Sequence, residues 1–279
     1  MISLGEDLAA RLAAGVTTLA FCWRLQRRDG VAMGFTSHDS ALLVDGMIYH
    51  AEPGIAPSAV HLAGGIDTDS MEVTGAIAAD AIAEEDLAAG RYDGASVRLF
   101  MVDWNKPEAG MLPILSGQIG TITSKGDAFS AELRGPAAAL ARQAVELLSP
   151  ECRATLGDRR CGVNLAALTM EAIVVEAAGP QKLRLNMTEA VADSHAGGRL
   201  RFRDGANSGL DVVIVQSAGD LFTLAEGAPF AVEAGTGVEV RQGCDKRFST
   251  CCTRFANAVN FQGEPHVPGN DLLMQYPGL

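Results

Sequence analysis

Asp-Gly pairs at 29–30, 45–46 and 204–205 each stand between short runs of β-branched and apolar residues. An Asp-Gly pair supplies the positive φ angles that a tight hairpin needs, and the flanking alternation suits half-buried strands. "TTLAFCWRLQRRDGVAMGFTSHD" therefore reads as two strands joined at Asp29-Gly30, and "ALLVDGMIYHA" repeats the device. "ASVRLFMVDW" and "LPILSGQIGTITSKGDAFSAELRG" add strands, with turns at Asn105-Lys106-Pro107 and Lys125-Gly126. Further strands are expected around Glu171–Val175 and Lys182–Asn186, and "AVEAGTGVEVRQGC" carries the last one straight into a cysteine. The chain is expected to be mainly β (α+β), a barrel or sandwich architecture with a few short helices.

Three helices are expected. Glu6–Ala14 is amphipathic and stops at Gly15, Ile77–Ala89 stops at Gly90, and "PAAALARQAVELLSP" opens on Pro136 and closes before Pro150. The apolar run Leu12–Cys22 lacks a basic n-region, because Glu6 and Asp7 stand in its place, so it does not read as a secretion signal. No run has the length of a membrane span. Two domains are expected, 1–148 as an N-terminal β-rich domain and 149–279 as a β domain carrying the cysteines.

Charge narrows the function. The formal net charge is -12, near −9 before Pro150 and near −3 after it. A nucleic-acid sheath needs a basic footprint, which this chain lacks. Folding in a reducing cytoplasm makes disulfides an unexpected use for the six cysteines.

Cys22 sits alone between Phe21 and Trp23 and reads as a small buried hydrophobe. The other five form two groups, Cys152-x8-Cys161 and Cys244-x6-Cys251 with Cys252 adjoining. Arg153, Arg159, Arg160, Lys246, Arg247 and Arg254 cluster around them, and positive charge favours the thiolate that ligates metal. Structural zinc sites usually pair cysteines at closer spacing, whereas four cysteine ligands are the common iron–sulfur arrangement. Spacing alone leaves iron–sulfur, zinc and unligated thiols open. Adjacent side chains rarely aim at one centre, so Cys251 is the expected ligand and Cys252 its alternative.

The order of these cysteines resembles the cluster-binding set of the tail tip protein L family of lambda-like phages. "WRLQRRDGVAMGFTSHD" and "CDKRFSTCCTRFANAVNFQGEPHVPGND" resemble the N- and C-terminal signatures of phage-related hub proteins from alphaproteobacterial prophages and gene transfer agents. The resemblance implies a baseplate hub in a virion, assembled in the bacterial cytoplasm. It implies a homotrimer below a distal tail protein ring and above tail tip or peptidase proteins. DNA would pass through its channel without specific binding, and each subunit would hold a 4Fe-4S cluster on Cys152, Cys161, Cys244 and Cys251. The wide gap between the two pairs departs from the family pattern and must fold as its own β unit.

Other chemistry finds less support in the sequence. His38 beside Asp39 has no nucleophile motif with it and reads as structural. His266 follows Cys251 and Cys252, which keeps a tail-associated Cys/His hydrolase acting on peptidoglycan as the alternative, alongside a zinc-binding protein. The acidic groups around Asp67, Asp69 and Glu84–Asp86 lack the ligand alternation of a calcium loop. "NAVNFQGEPHVPGND" is expected to form an irregular loop that packs Phe255 and Phe261 over the cysteine centre.

Overall fold

A computed structural model describes residues 18–51, 56–57, 70–76, 82–125, 128–135 and 145–267. The chain divides into two compact units, Met1–Gln143 and Ala144–Leu279. Both are built mainly from antiparallel strands, with a few short helices among the described residues, so the chain is mainly β.

The first unit holds β1 (Leu19–Gln26), β2 (Ala32–Thr36), β3 (Leu42–Val44), β4 (Met47–Ala51), β5 (Ala56–Pro57), β6 (Ser70–Ala76), β7 (Ser96–Asp103), β8 (Met111–Lys125) and β9 (Ala128–Arg134). They form one nine-stranded sheet in the order β3-β4-β2-β1-β7-β8-β9-β6-β5. β1 and β2 form the expected hairpin, and Arg27 Nε holds Asp29 at 3.2 Å beside the turn. β3 and β4 form the second, where Asp45 and Gly46 both take positive φ, as a mirror-image turn requires. Unexpectedly, β4 then lies parallel to β2.

Strand alternation splits β1 between two cores. Trp23 and Leu25 pack with Phe35, Val97, Leu99 and Leu115, while Ala20 and Cys22 face Tyr49, Phe100 and Val102. Cys22 is fully buried there, within 3.6 Å of the Thr36 hydroxyl, so it is the packing residue its surroundings suggested.

The second unit contains β10 (Thr169–Gly179), β11 (Lys182–Leu185), β12 (Arg199–Phe202), β13 (Asp211–Ala218), β14 (Leu221–Leu224) and β15 (Gly237–Arg241). They close into a barrel in the order β10-β11-β14-β13-β12-β15. Leu200, Phe202, Ile214, Phe222 and Val240 fill it, while Arg199 and Arg201 face outward by strand alternation. Burying each large side chain contributes about 1.5–3 kcal/mol. The stretch between the two cysteine groups thus folds as a β unit of its own.

The expected helices are described only in part. Of Ile77–Ala89 the described part forms α1 (Glu84–Ala88), and Gly90 ends it with φ +70°. Residues 145–149 are not helical. Their polar groups are tied elsewhere: the Leu147 carbonyl accepts from Arg153, and the Ser149 N–H donates to Glu264. The remainder of that expected helix, the Glu6–Ala14 helix and the Lys125-Gly126 turn beyond Lys125 lie outside the described residues. Among the described residues no helix is long and apolar enough to cross a membrane.

A candidate cysteine centre at the foot of the barrel

Barrel closure decides where the cysteines meet. β10 and β15 pair antiparallel, with Thr169 opposite Arg241, so the chain before β10 and the chain after β15 lie at the same end. The Gln242 N–H donates to the Leu168 carbonyl at 2.9 Å, which extends that pairing towards Cys244. Cys161 precedes β10 by a short segment, and Cys244 follows β15 almost at once. Cys251 is carried by α2 (Phe248–Thr253), whose start is tied down by Asp245: it accepts from Arg247 N at 3.0 Å and Thr250 Oγ1 at 2.8 Å.

Cys152, Cys161, Cys244 and Cys251 line one small recess. Cys252 is half-buried and is not among its lining residues. Among the described residues no three His, Cys, Asp or Glu side chains form a group that could hold a single metal ion.

Backbone turns place each thiol. Asp158 accepts three N–H bonds, from Thr155 at 2.9 Å, Arg160 at 2.9 Å and Cys161 at 2.7 Å, and these donors hold its carboxyl below the usual range. That loop aims Cys161 inward. Asn257 links the two cysteine groups: its Nδ2 donates to the Cys161 carbonyl at 2.7 Å and lies 3.8 Å from the Cys161 sulfur. Its carbonyl stands 3.4 Å from Cys251 Sγ. The Gln262 N–H points at Cys152 Sγ from 3.4 Å. N–H groups directed at sulfur are what a ligating thiolate needs from its surroundings. Phe248 and Phe261 meet edge to face at 5.0 Å, and Phe255 and Phe261 line the recess, as the loop reading anticipated.

The surrounding cations do different work from the one their charge suggested. Arg153 grips Glu264 with both Nη atoms, at 2.7 and 2.8 Å, and reaches Glu146 at 3.1 Å. Arg160 also pairs with Glu146, Lys246 Nζ is bound by the Ala154 carbonyl, and Arg254 reaches the Ser194 carbonyl and, at 2.7 Å, Gln242. These side chains staple loops, while Lys246 and Arg247 line the recess itself. At Cys244 burial outweighs the lowering effect of Lys246. Burial pushes Cys244 up, and burial followed by repulsion from Cys152, Cys244 and Cys161 pushes Cys251 up. A metal ion or cluster bound here would replace the protons of its thiol ligands.

The histidines stand apart from this chemistry. His38 accepts the Ser40 N–H at 3.1 Å and stacks 4.9 Å from Trp104, a local turn contact. His266 is exposed and hydrogen-bonds to neither Cys251 nor Cys252. Sequence reading passed over His195, which is buried with Glu189 at 3.0 Å from Nδ1. Glu189 also accepts from Ser194 at 2.8 Å and Ser217 at 2.7 Å. Nothing in the linear sequence marks that quartet, since Ser217 joins it only through barrel pairing.

A family model for "Baseplate hub protein, N-terminal attachment domain" matches residues 5–164. The chain belongs to the baseplate hub protein family. A second model, "Phage conserved hypothetical protein BR0599", matches residues 193–271, so the two cysteine groups of this hub fall in separate matches. A solved structure, the virion of a native gene transfer agent particle, contains a chain 40% identical to the hub. The alignment covers 98% of this chain and 96% of that one, with a TM-score of 0.84. No curated protein matches. As a baseplate hub, the protein is a structural component of a phage-like virion.

Proposed function

We propose that this hub is a non-catalytic ring component whose second unit is stapled by a 4Fe-4S cluster. Cys152, Cys161, Cys244 and Cys251 would hold it, and the observation that carries the reading is that these four line one recess. The donor set fits: four sulfurs, with N–H groups of Gln262 and Asn257 directed at two of them. Four cysteine thiols around one recess match the ligand set of an iron–sulfur cluster. When bound, the cluster supplies iron–thiolate bonds that tie the loops together. The protein's own part is to shield the sulfurs with Phe255 and Phe261 and to hold the loops through Asp158, Asn257 and the Arg153–Glu264 pair.

Three copies would close the ring by cyclic symmetry, between a distal tail protein ring and tail tip or peptidase proteins, in particles assembled in the bacterial cytoplasm. The net charge of -12 suits a wall that DNA passes without sticking. A Cys/His hydrolase is disfavoured by the raised Cys251 thiol and the detached His266, because a nucleophile needs a depressed pKa or an adjacent base. Anaerobically purified protein should contain iron and acid-labile sulfide, and imaging of tails should show three copies about one axis. Colourless protein with stoichiometric zinc would remove the cluster, and a monomer in assembled tails would remove the ring.

A further inference from the structure

In the first unit, Arg24 lies directly opposite Arg98 across β1 and β7, and Arg98 directly opposite Ser116 across β7 and β8. Side chains in such positions stand about 4.5–5.5 Å apart at Cβ, and like charges there repel. The sheet cannot relieve this by slipping register, because Trp23 and Leu25 on either side of Arg24 are locked into the core. On the same face Ala20 and Cys22 are covered by Tyr49, Leu42 and Val44. Arg24, next along, lines an open groove together with Arg98, Met111 and Pro113.

Among the described residues neither arginine has a hydrogen-bond or ion-pair partner, and Arg24 Nε is buried without an acceptor. Asp45 also lines the groove but pairs with neither. The same chain pairs most of its other buried or half-buried cations with carboxylates or carbonyls, as at Arg27, Arg153 and Arg184.

We propose that the Arg24–Arg98 groove is a docking site for an acidic segment of a partner protein, whose carboxylate bridges the two guanidinium groups. A carboxylate accepts from two guanidinium forks at once and would neutralise the repelling pair. Met111, 44% exposed, and Pro113 offer apolar surface beside the charges, which suits a peptide in which acidic and apolar residues alternate. DNA is the weaker fit: two arginines next to an aspartate, on a chain of net charge -12, fall short of a basic footprint. The site lies in the first unit and does not depend on the cysteine centre.

The test uses the full-length protein and fluorescence anisotropy with three labelled probes: a short peptide of alternating Glu and Val, the same peptide with Gln for Glu, and a DNA duplex. The Glu peptide should bind, and binding should weaken as salt screens the charges. The Gln peptide should not bind. Arg98→Gln, at an exposed position, should weaken the Glu peptide by roughly tenfold with unchanged circular dichroism, and Arg98→Lys should recover part of it. Failure of the Glu peptide to bind, equal binding of the Gln peptide, or unchanged affinity in Arg98→Gln would overturn the proposal. Tighter binding of duplex, lost in Arg98→Gln, would assign the groove to nucleic acid instead.

Discussion

The backbone N–H of Cys152 donates to the carbonyl of Lys246 at 2.9 Å, joining the loop before the barrel to the loop after it. Arg153 N repeats the link with the Gln262 carbonyl at 2.9 Å, so the strip that carries Cys152 is laced to the chain that carries Cys244 and Cys251. Backbone hydrogen bonds thus help to gather the thiols of the two loops.

That lacing distinguishes the two adjacent cysteines. Cys251 is buried and lines the recess, whereas Cys252 does not. Cys251→Ser should abolish iron and acid-labile sulfide in anaerobically purified protein, and Cys252→Ser should leave both near the wild-type amount. The opposite pattern would make Cys252 the ligand.

Glu264 sets an acid limit on the second unit. Hydrogen bonds from Arg153, then from the Ser149 N–H, hold its carboxyl down to about 2, against an ordinary value near 4.5. A carboxylate whose pKa is depressed on folding contributes stability that is fully present above the ordinary value and lost as pH falls through the folded one. Wild-type stability should thus decline between roughly pH 5 and pH 2. Glu264→Gln should be less stable at pH 7 and show a shallower decline over that range in urea unfolding. Identical slopes would mean that Glu264 carries none of the pH dependence.

Asn257→Ala removes a donor to the Cys161 carbonyl and an acceptor for Asn260 Nδ2, each at 2.7 Å. At about 0.5–1.5 kcal/mol per hydrogen bond the loss should be about 1–3 kcal/mol. Thermal unfolding should fall by several degrees, and iron should be retained less well. Asn257→Asp keeps the acceptor and should also lose the link to Cys161.

Gly243 joins β15 to Cys244, and a Cβ there would stand 1.8 Å from the Ala196 carbonyl oxygen. Backbone cannot swing aside as a flexible side chain can. Gly243→Ala should push the 194–198 segment off the end of β15, lower the unfolding temperature markedly and impair iron retention. A wild-type melting curve for this variant would show that the close approach is dispensable.

Much of this architecture is legible in the linear sequence because turns and alternation are local. Asp29-Gly30 and Asp45-Gly46 need only their own φ angles, and β12 and β14 alternate as strands with one buried face must. The cysteine spacing and its basic flanks were likewise visible, and Cys22 could be set aside as packing from its apolar neighbours alone. The helix expected before Pro150 is absent over 145–149, where Arg153 takes the Leu147 carbonyl and the distant Glu264 takes the Ser149 N–H.

Tertiary structure decided the rest. Local pattern could not say that β4 would run parallel to β2, or that β15 would close on β10, since both depend on pairing between distant segments. That closure alone brings Cys161 and Cys244 to one end. Nor could composition say that Arg153 and Arg160 would meet carboxylates, while Arg24 and Arg98 would face each other with none. Charge partners are chosen by proximity in space, and proximity follows from the order of strands in the sheet.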